Sequence, residues 1–102
     1  MSGAVSYRAG LAAEGQVARH YLDSGRRIAA RRWRGRSGEI DLIVREGSRV
    51  VFIEVKRADS FAIAAERLSR RQMERIYAAA TEFIAEEPAG QAPEVRVDVA
   101  LV

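Results

Sequence analysis

Apolar residues recur along this chain in two rhythms, and the switches between them mark its elements. Over residues 7–24, Tyr7, Leu11, Ala18, Tyr21 and Leu22 fall on one helical stripe, and Gly25 stands where a helix takes its left-handed C-terminal residue. Glu14 lies inside that stripe, whereas His20 projects from the other side as an exposed, inert side chain. Residues 27–34, 39–45 and 49–56 read as three strands. Glu46-Gly47-Ser48 forms a hairpin turn between the second and third, with Gly-Ser suited to the central positions of a type II′ turn. Helical spacing returns at Met73, Ile76, Tyr77, Ala80, Phe83 and Ile84, after Ser69-x-x-Gln72 in capping-box form and before Pro88. A last strand, 94–101, alternates Val95, Val97, Val99 and Leu101 with Arg96 and Asp98. The order α-β-β-β-α-β predicts an α/β (α+β) fold, a mixed sheet flanked by two helices, because the final strand returns after a helical crossover.

If Gly47 and Ser48 are the two loop residues, the hairpin register follows. Val44 faces Val51, Leu42 faces Ile53 and Ile40 faces Val55, which makes one face aliphatic. The other face pairs Ile43 with Phe52, Asp41 with Glu54 and Glu39 with Lys56. A slip of one residue would turn those charges into the aliphatic face, so the patterning fixes the register.

Composition then narrows the chemistry. The chain has 102 residues, enough for one domain that buries roughly two-thirds of its unfolded surface. It has no cysteine and one histidine, which removes disulfides, thiol nucleophiles and His- or Cys-based metal clusters. No stretch is apolar and charge-free long enough for a transmembrane helix or a signal-peptide core, so a cytoplasmic domain without membrane contact is expected. The net charge of +3 is unevenly placed. Arg26, Arg27, Arg31, Arg32, Arg34 and Arg36 crowd one segment beside Trp33 with no acid among them, and the rest of the chain is net negative. Guanidinium forks bind phosphate bidentately, so this cluster points to a nucleic-acid partner, the alternative being a solvated arginine-rich strand. Trp33 is a candidate for stacking on a base, against plain packing on a strand. Arg70, Arg71 and Arg75 oppose the macrodipole at the start of the second helix; either phosphate binds there, or Glu66 and Glu74 pair with them.

Asp41 opposite Glu54 is the pairing with chemical content. Two carboxylates ~5 Å apart repel by roughly 3 kcal/mol at an effective dielectric near 20. A raised pKa, a nearby cation or a bound metal has to offset that. Lys56 lies two residues beyond Glu54 on the same face, and Glu14 is able to lean over from the first helix. Oxygen-only donors suit Mg²⁺ or Mn²⁺: Asp41 and Glu54 as ligands, the Val55 carbonyl as a further oxygen, and Glu14 nearby. Lys56 would orient or deprotonate an attacking water, and metal-assisted phosphodiester hydrolysis fits these parts best. The alternative is an ordinary salt-bridge cluster on a solvated face.

The blocks Ala13-Glu14-Gly15, Tyr21-Leu22, Arg32-Trp33-Arg34, Gly38-Glu39-Ile40-Asp41-Leu42-Ile43 and Val51-Phe52-Ile53-Glu54-Val55-Lys56 resemble the YraN-type family of small bacterial proteins. That family is similar to the PD-(D/E)XK, restriction-endonuclease-like superfamily, which includes Holliday-junction resolvases. The resemblance implies a single nuclease-like domain over residues 1–102 with a restriction-endonuclease-like α-β-β-β-α-β core. It implies a divalent cation, Mg or Mn, and endonuclease action on DNA rather than RNA, on branched or damaged substrates. Asp41 matches the superfamily Asp, Glu54 and Lys56 match the (D/E)-x-K pair, and Glu14 matches the acid on the first helix. Arg31, Arg32, Arg34, Arg36, Arg70, Arg71 and Trp33 are then the expected nucleic-acid contacts, and a homodimer is the assembly that small resolvase-like nucleases often adopt. A nucleic-acid-binding module with a vestigial site is the competing expectation. Two places depart from the family pattern: Gln72 stands where Lys is common, and segment 58–68 lacks the usual glycine-containing loop.

Overall fold

The computed structural model describes the backbone of residues 3–56, 62, 69–88 and 93–102, and the side chains from residue 12 onward within that set. Helix α1 (Gly3–Asp23) is followed by strands β1 (Arg27–Arg34), β2 (Glu39–Glu46) and β3 (Arg49–Lys56), helix α2 (Arg70–Ala85) and strand β4 (Glu94–Leu101). The sheet order is β1-β2-β3-β4, antiparallel except for the parallel β3–β4 pair, as a helical crossover requires. The expected mixed sheet between two helices is what the chain forms. Segment 58–68, apart from residue 62, lies outside the described residues, as do Glu66 and the side chains of Tyr7 and Leu11.

One helix covers each face of the sheet. Val17, Ala18 and Tyr21 of α1 pack on Leu42, Val44, Val51 and Ile53. Ala79 and Ala80 of α2, with Phe83 and Ile84 beside them, pack on Ile40, Ile43, Val50 and Phe52. Both faces of the β2–β3 hairpin are therefore buried, and its two strands read as nearly continuous apolar runs. Burying each large side chain such as Phe52 or Ile53 stabilises the fold by ~1.5–3 kcal/mol.

The local signals act as the sequence suggests. Gly25 closes α1 at φ +86°. Gly47 has φ +62° while Ser48 does not, which agrees with a type II′ turn. The Ser69 hydroxyl accepts the Gln72 N–H at 3.1 Å and caps α2. Some stripe positions differ from expectation. Leu22 and Tyr77 are exposed, while Ala13, Val17 and Ala79 are buried in the helix faces instead. Small residues let the helices sit close to the sheet, so the larger side chains at the edge of each stripe point past it.

Asp98 is not the plain surface charge expected of β4. It accepts the Tyr21 hydroxyl at 2.9 Å and is held by Arg96 at 2.8 and 3.1 Å, which ties α1 to the last strand. Burial first, then that hydrogen bond and the Asp98 charge, push the Tyr21 hydroxyl up to about 12.

Candidate active site

The hairpin register runs as predicted from Glu46↔Arg49 through Leu42↔Ile53 and then stops. The expected pairs Asp41–Glu54, Ile40–Val55 and Glu39–Lys56 are not part of the ladder. Instead the Asp41 carboxylate takes the Val55 N–H at 2.8 Å. A side chain inserted between two strands holds them apart where the backbone would otherwise pair.

Side-chain alternation breaks at the same level. Leu42 belongs to the α1 core, yet Ile40, two residues away, belongs to the α2 core. On β1, Arg31 pairs with Leu42 and Trp33 with Ile40, and Trp33 also packs on the α2 side. Arg32 between them has φ +51°, a left-handed conformation that is uncommon without glycine. Both strands turn over at this level, which brings Asp41 round to the face carrying Glu14. The aliphatic face that was expected to include Ile40 ends at Leu42 for that reason.

Glu14, Asp41 and Glu54 are consequently one interacting group. Burial, followed by a carboxyl–carboxyl hydrogen bond with Asp41 and the Asp41 charge, pushes the Glu54 carboxyl up to about 8, with Glu14 adding to the rise. Lys56 opposes it, so its ammonium is near enough to act on Glu54. Among the described residues no ion pair holds that ammonium. Burial also raises Glu14, with Asp41 and Glu39 adding and Arg32 opposing. Glu39 itself is clamped by Arg32 at 3.3 Å and Arg34 at 3.1 Å, which corrects the expected partnership with Lys56.

Whether these residues suit a divalent cation is a question of donors and charge. The donors are all oxygen, the sites are half-buried, and three carboxylates crowd one ammonium, a set short of positive charge. That chemistry fits Mg²⁺ or Mn²⁺. Among the described residues, no three acidic or histidine side chains already stand in a metal-binding arrangement, and the Asp41 carboxylate is engaged by the Val55 N–H.

The basic residues meet different partners. Arg31 and Arg32 line a small cavity with Glu14, Gly15, Ala18, Asp41 and Leu42. Arg34 is committed to Glu39. Arg36 lies in the β1–β2 turn, where the Glu82 carboxylate accepts its N–H at 2.7 Å, and the Ser37 N–H and hydroxyl at 3.1 and 2.9 Å. Trp33 meets Phe83 edge-on at 5.6 Å, so its ring packs against α2. Arg70 and Arg71 are exposed at the start of α2, and among the described residues Glu74 pairs with neither. The Glu82 anchor carries no sequence signal: an acid among the solvent-facing positions of an amphipathic helix is unremarkable until the turn it binds is seen.

The sequence profile described as "Uncharacterised protein family UPF0102" matches residues 13–102. A UPF0102 protein of Cereibacter sphaeroides (strain KD131) is 68% identical over 102 residues, covering 100% of this chain and 87% of that protein. One from Ruegeria pomeroyi is 57% identical over 100 residues, covering 98% of this chain and 81% of its own length. Another, from Dinoroseobacter shibae, is 47% identical over 93 residues, covering 91% and 69% respectively. These matches run through every motif block that carried the YraN-type resemblance.

Proposed function

The chain belongs to the uncharacterised protein family UPF0102, and from that premise we propose that it is a Mg²⁺- or Mn²⁺-dependent endonuclease hydrolysing phosphodiester bonds in DNA, with branched or damaged DNA as the substrate class. The observation that carries the reading is the convergence of Asp41, Glu54 and Glu14 with Lys56 where β2 and β3 part. A salt-bridge cluster on a solvated face would not place three interacting carboxylates together against a half-buried hairpin end. The chain has no cysteine, and exposed His20 gives no base around which a Ser-His-Asp set is built.

Asp41, Glu54 and the Val55 carbonyl would hold the cation, with Glu14 beside them. When bound, it supplies a lowered pKa for an attacking water and neutralises charge on the phosphodiester. The Asp41–Val55 bond stands in place of a ladder bond, and Glu54 interacts with both Asp41 and Lys56 beside it. Lys56 would orient or deprotonate the attacking water and stabilise the negative charge that grows on the phosphate oxygens. Arg31 and Arg32 supply cationic partners for the backbone of the nucleic acid.

The test is a cleavage assay on labelled duplex, single-stranded and four-way-junction DNA with Mg²⁺ or Mn²⁺, wild type against Lys56→Ala. Cutting by wild type and none by the variant supports the reading and ranks the substrate shapes. No cutting, or equal cutting by both, removes it; retained DNA binding would then favour a non-catalytic module.

A further inference from the structure

The cavity between α1 and the β1–β2 pair has a volume of ≈ 120 Å³, roomy enough for a tetrahedral group. Arg31 and Arg32 line it together with Glu14 and Asp41. Arg31 is exposed, on the α1 side of the sheet opposite Leu42, and among the described residues it makes no ion pair and no hydrogen bond. A guanidinium that lines a cavity shared with two carboxylates and pairs with neither is available to an incoming anion.

Gly15 is the second, independent observation. It lies well inside α1, where glycine is destabilising by ~1 kcal/mol relative to alanine. Nothing in the protein requires it: a Cβ built there would meet no atom within 4 Å, and its φ is not left-handed. The room left by the missing side chain opens on the cavity instead of on a packed neighbour. A helix that forgoes a side chain at the edge of a small arginine-lined cavity leaves space for something from outside.

We propose that this cavity seats one backbone phosphate of the bound nucleic acid, gripped by Arg31 and admitted by the bare backbone at Gly15. The inference rests on the nucleic-acid reading above and deepens it. The seat adjoins Glu14 and Asp41, so a phosphate held there brings the neighbouring phosphodiester up to the carboxylate group and Lys56.

Binding of fluorescently labelled duplex and single-stranded DNA by the Lys56→Ala protein in EDTA, over a range of salt, tests it without interference from cleavage. Gly15→Leu and Arg31→Gln are each expected to weaken binding about tenfold and to lower the slope of log K against log salt by about 0.9 for duplex or 0.7 for single strands. Arg19→Gln, which removes an exposed arginine outside the arginine-rich segment, paired with Asp23 on α1, is expected to leave the slope as in the parent. If folded Gly15→Leu keeps the parental affinity and slope, or Arg31→Gln behaves as Arg19→Gln does, the seat is wrong. Should Gly15→Leu not fold, the Arg31→Gln and Arg19→Gln comparison decides alone. A parent that binds no DNA overturns both this inference and the nuclease reading. Binding that responds as expected in a protein whose wild type never cuts overturns the nuclease reading and supports the seat.

Discussion

Asp41 accepts the backbone N–H of Val55 at 2.8 Å, a bond that the hairpin register assigns to the Ile40 carbonyl. One side chain thus takes over a ladder bond at the point where the strands separate. The acid is both the wedge that opens the hairpin and the member of the carboxylate group that contacts the other two.

Substitutions at Asp41 therefore separate wedge from charge. Asn keeps an oxygen for the Val55 N–H and removes the charge that bears on Glu14 and Glu54. Asp41→Asn is expected to melt at or above the wild-type temperature in EDTA, with no Mn²⁺-induced rise. Asp41→Ala strands a half-buried N–H and is expected to lose ~1–3 kcal/mol. Thermal melts of the three proteins with and without Mn²⁺ decide it. An Asn variant as unstable as Ala would mean that the charge itself, not the acceptor, supports the hairpin end.

The raised Glu54 carboxyl makes metal-free stability depend on pH. Its proton is held to about 8 in the folded protein and to about 4.5 in the unfolded chain, so folding takes up a proton between those values. The contribution is complete below pH 4.5 and disappears as pH rises through 8. Glu14 is shifted in the same direction. Unfolding by urea in EDTA is expected to show the protein less stable at pH 9 than at pH 6, by on the order of 1–2 kcal/mol after solvent screening. Glu54→Gln is expected to flatten most of that slope. A stability that rises over the same interval would contradict the assigned environment.

How far the sequence reached can be judged on particular residues. The hairpin was legible from Gly47-Ser48 and the flanking aliphatics, because turn chemistry and alternation are local and reinforce one another. The association of Glu14, Asp41, Glu54 and Lys56 was legible as a tendency, since like charges across a strand pair demand compensation. The route by which they meet was not. It depends on Arg32 taking a left-handed conformation and on Asp41 leaving the ladder, and neither has a local sequence signal. A regular ladder places Glu39 opposite Lys56, whereas the strand turnover hands it to Arg32 and Arg34. Tyr21–Asp98 and Glu82 with Ser37 join residues far apart in the chain, which periodicity does not see.

Glu82 is expected to matter for stability out of proportion to its position on an amphipathic helix. Its carboxylate satisfies two backbone N–H groups and a hydroxyl in the β1–β2 turn. Gly35 in that turn has no room for a side chain, since a Cβ would lie 1.9 Å from Glu82 Oε2 and 2.8 Å from the Trp33 ring. Glu82→Ala is expected to lose ~1.5–3 kcal/mol in urea unfolding, and Gly35→Ala a similar amount through displacement of the same carboxylate. Because both act on one contact, the double variant should lose clearly less than the sum of the two. Full additivity would show that Gly35 and Glu82 act separately.

Arg32 offers a test in which strand propensity and local conformation predict opposite orders. In a regular strand, valine is favoured over glycine by up to ~1 kcal/mol. At φ +51° a β-branched side chain meets its own backbone, while glycine adopts this conformation freely. Both substitutions remove the 3.3 Å pairing with Glu39, so that loss cancels in the comparison. Arg32→Gly is therefore expected to be more stable than Arg32→Val by ~1–2 kcal/mol. The backbone of Arg32 faces the level at which Asp41 leaves the ladder, so Arg32→Val should also disturb the carboxylate group, seen as a changed pH dependence relative to Arg32→Gly. If Val proves the more stable of the two, the left-handed turn at Arg32 is not what carries β1 across the sheet, and the placement of Asp41 beside Glu14 would need another cause.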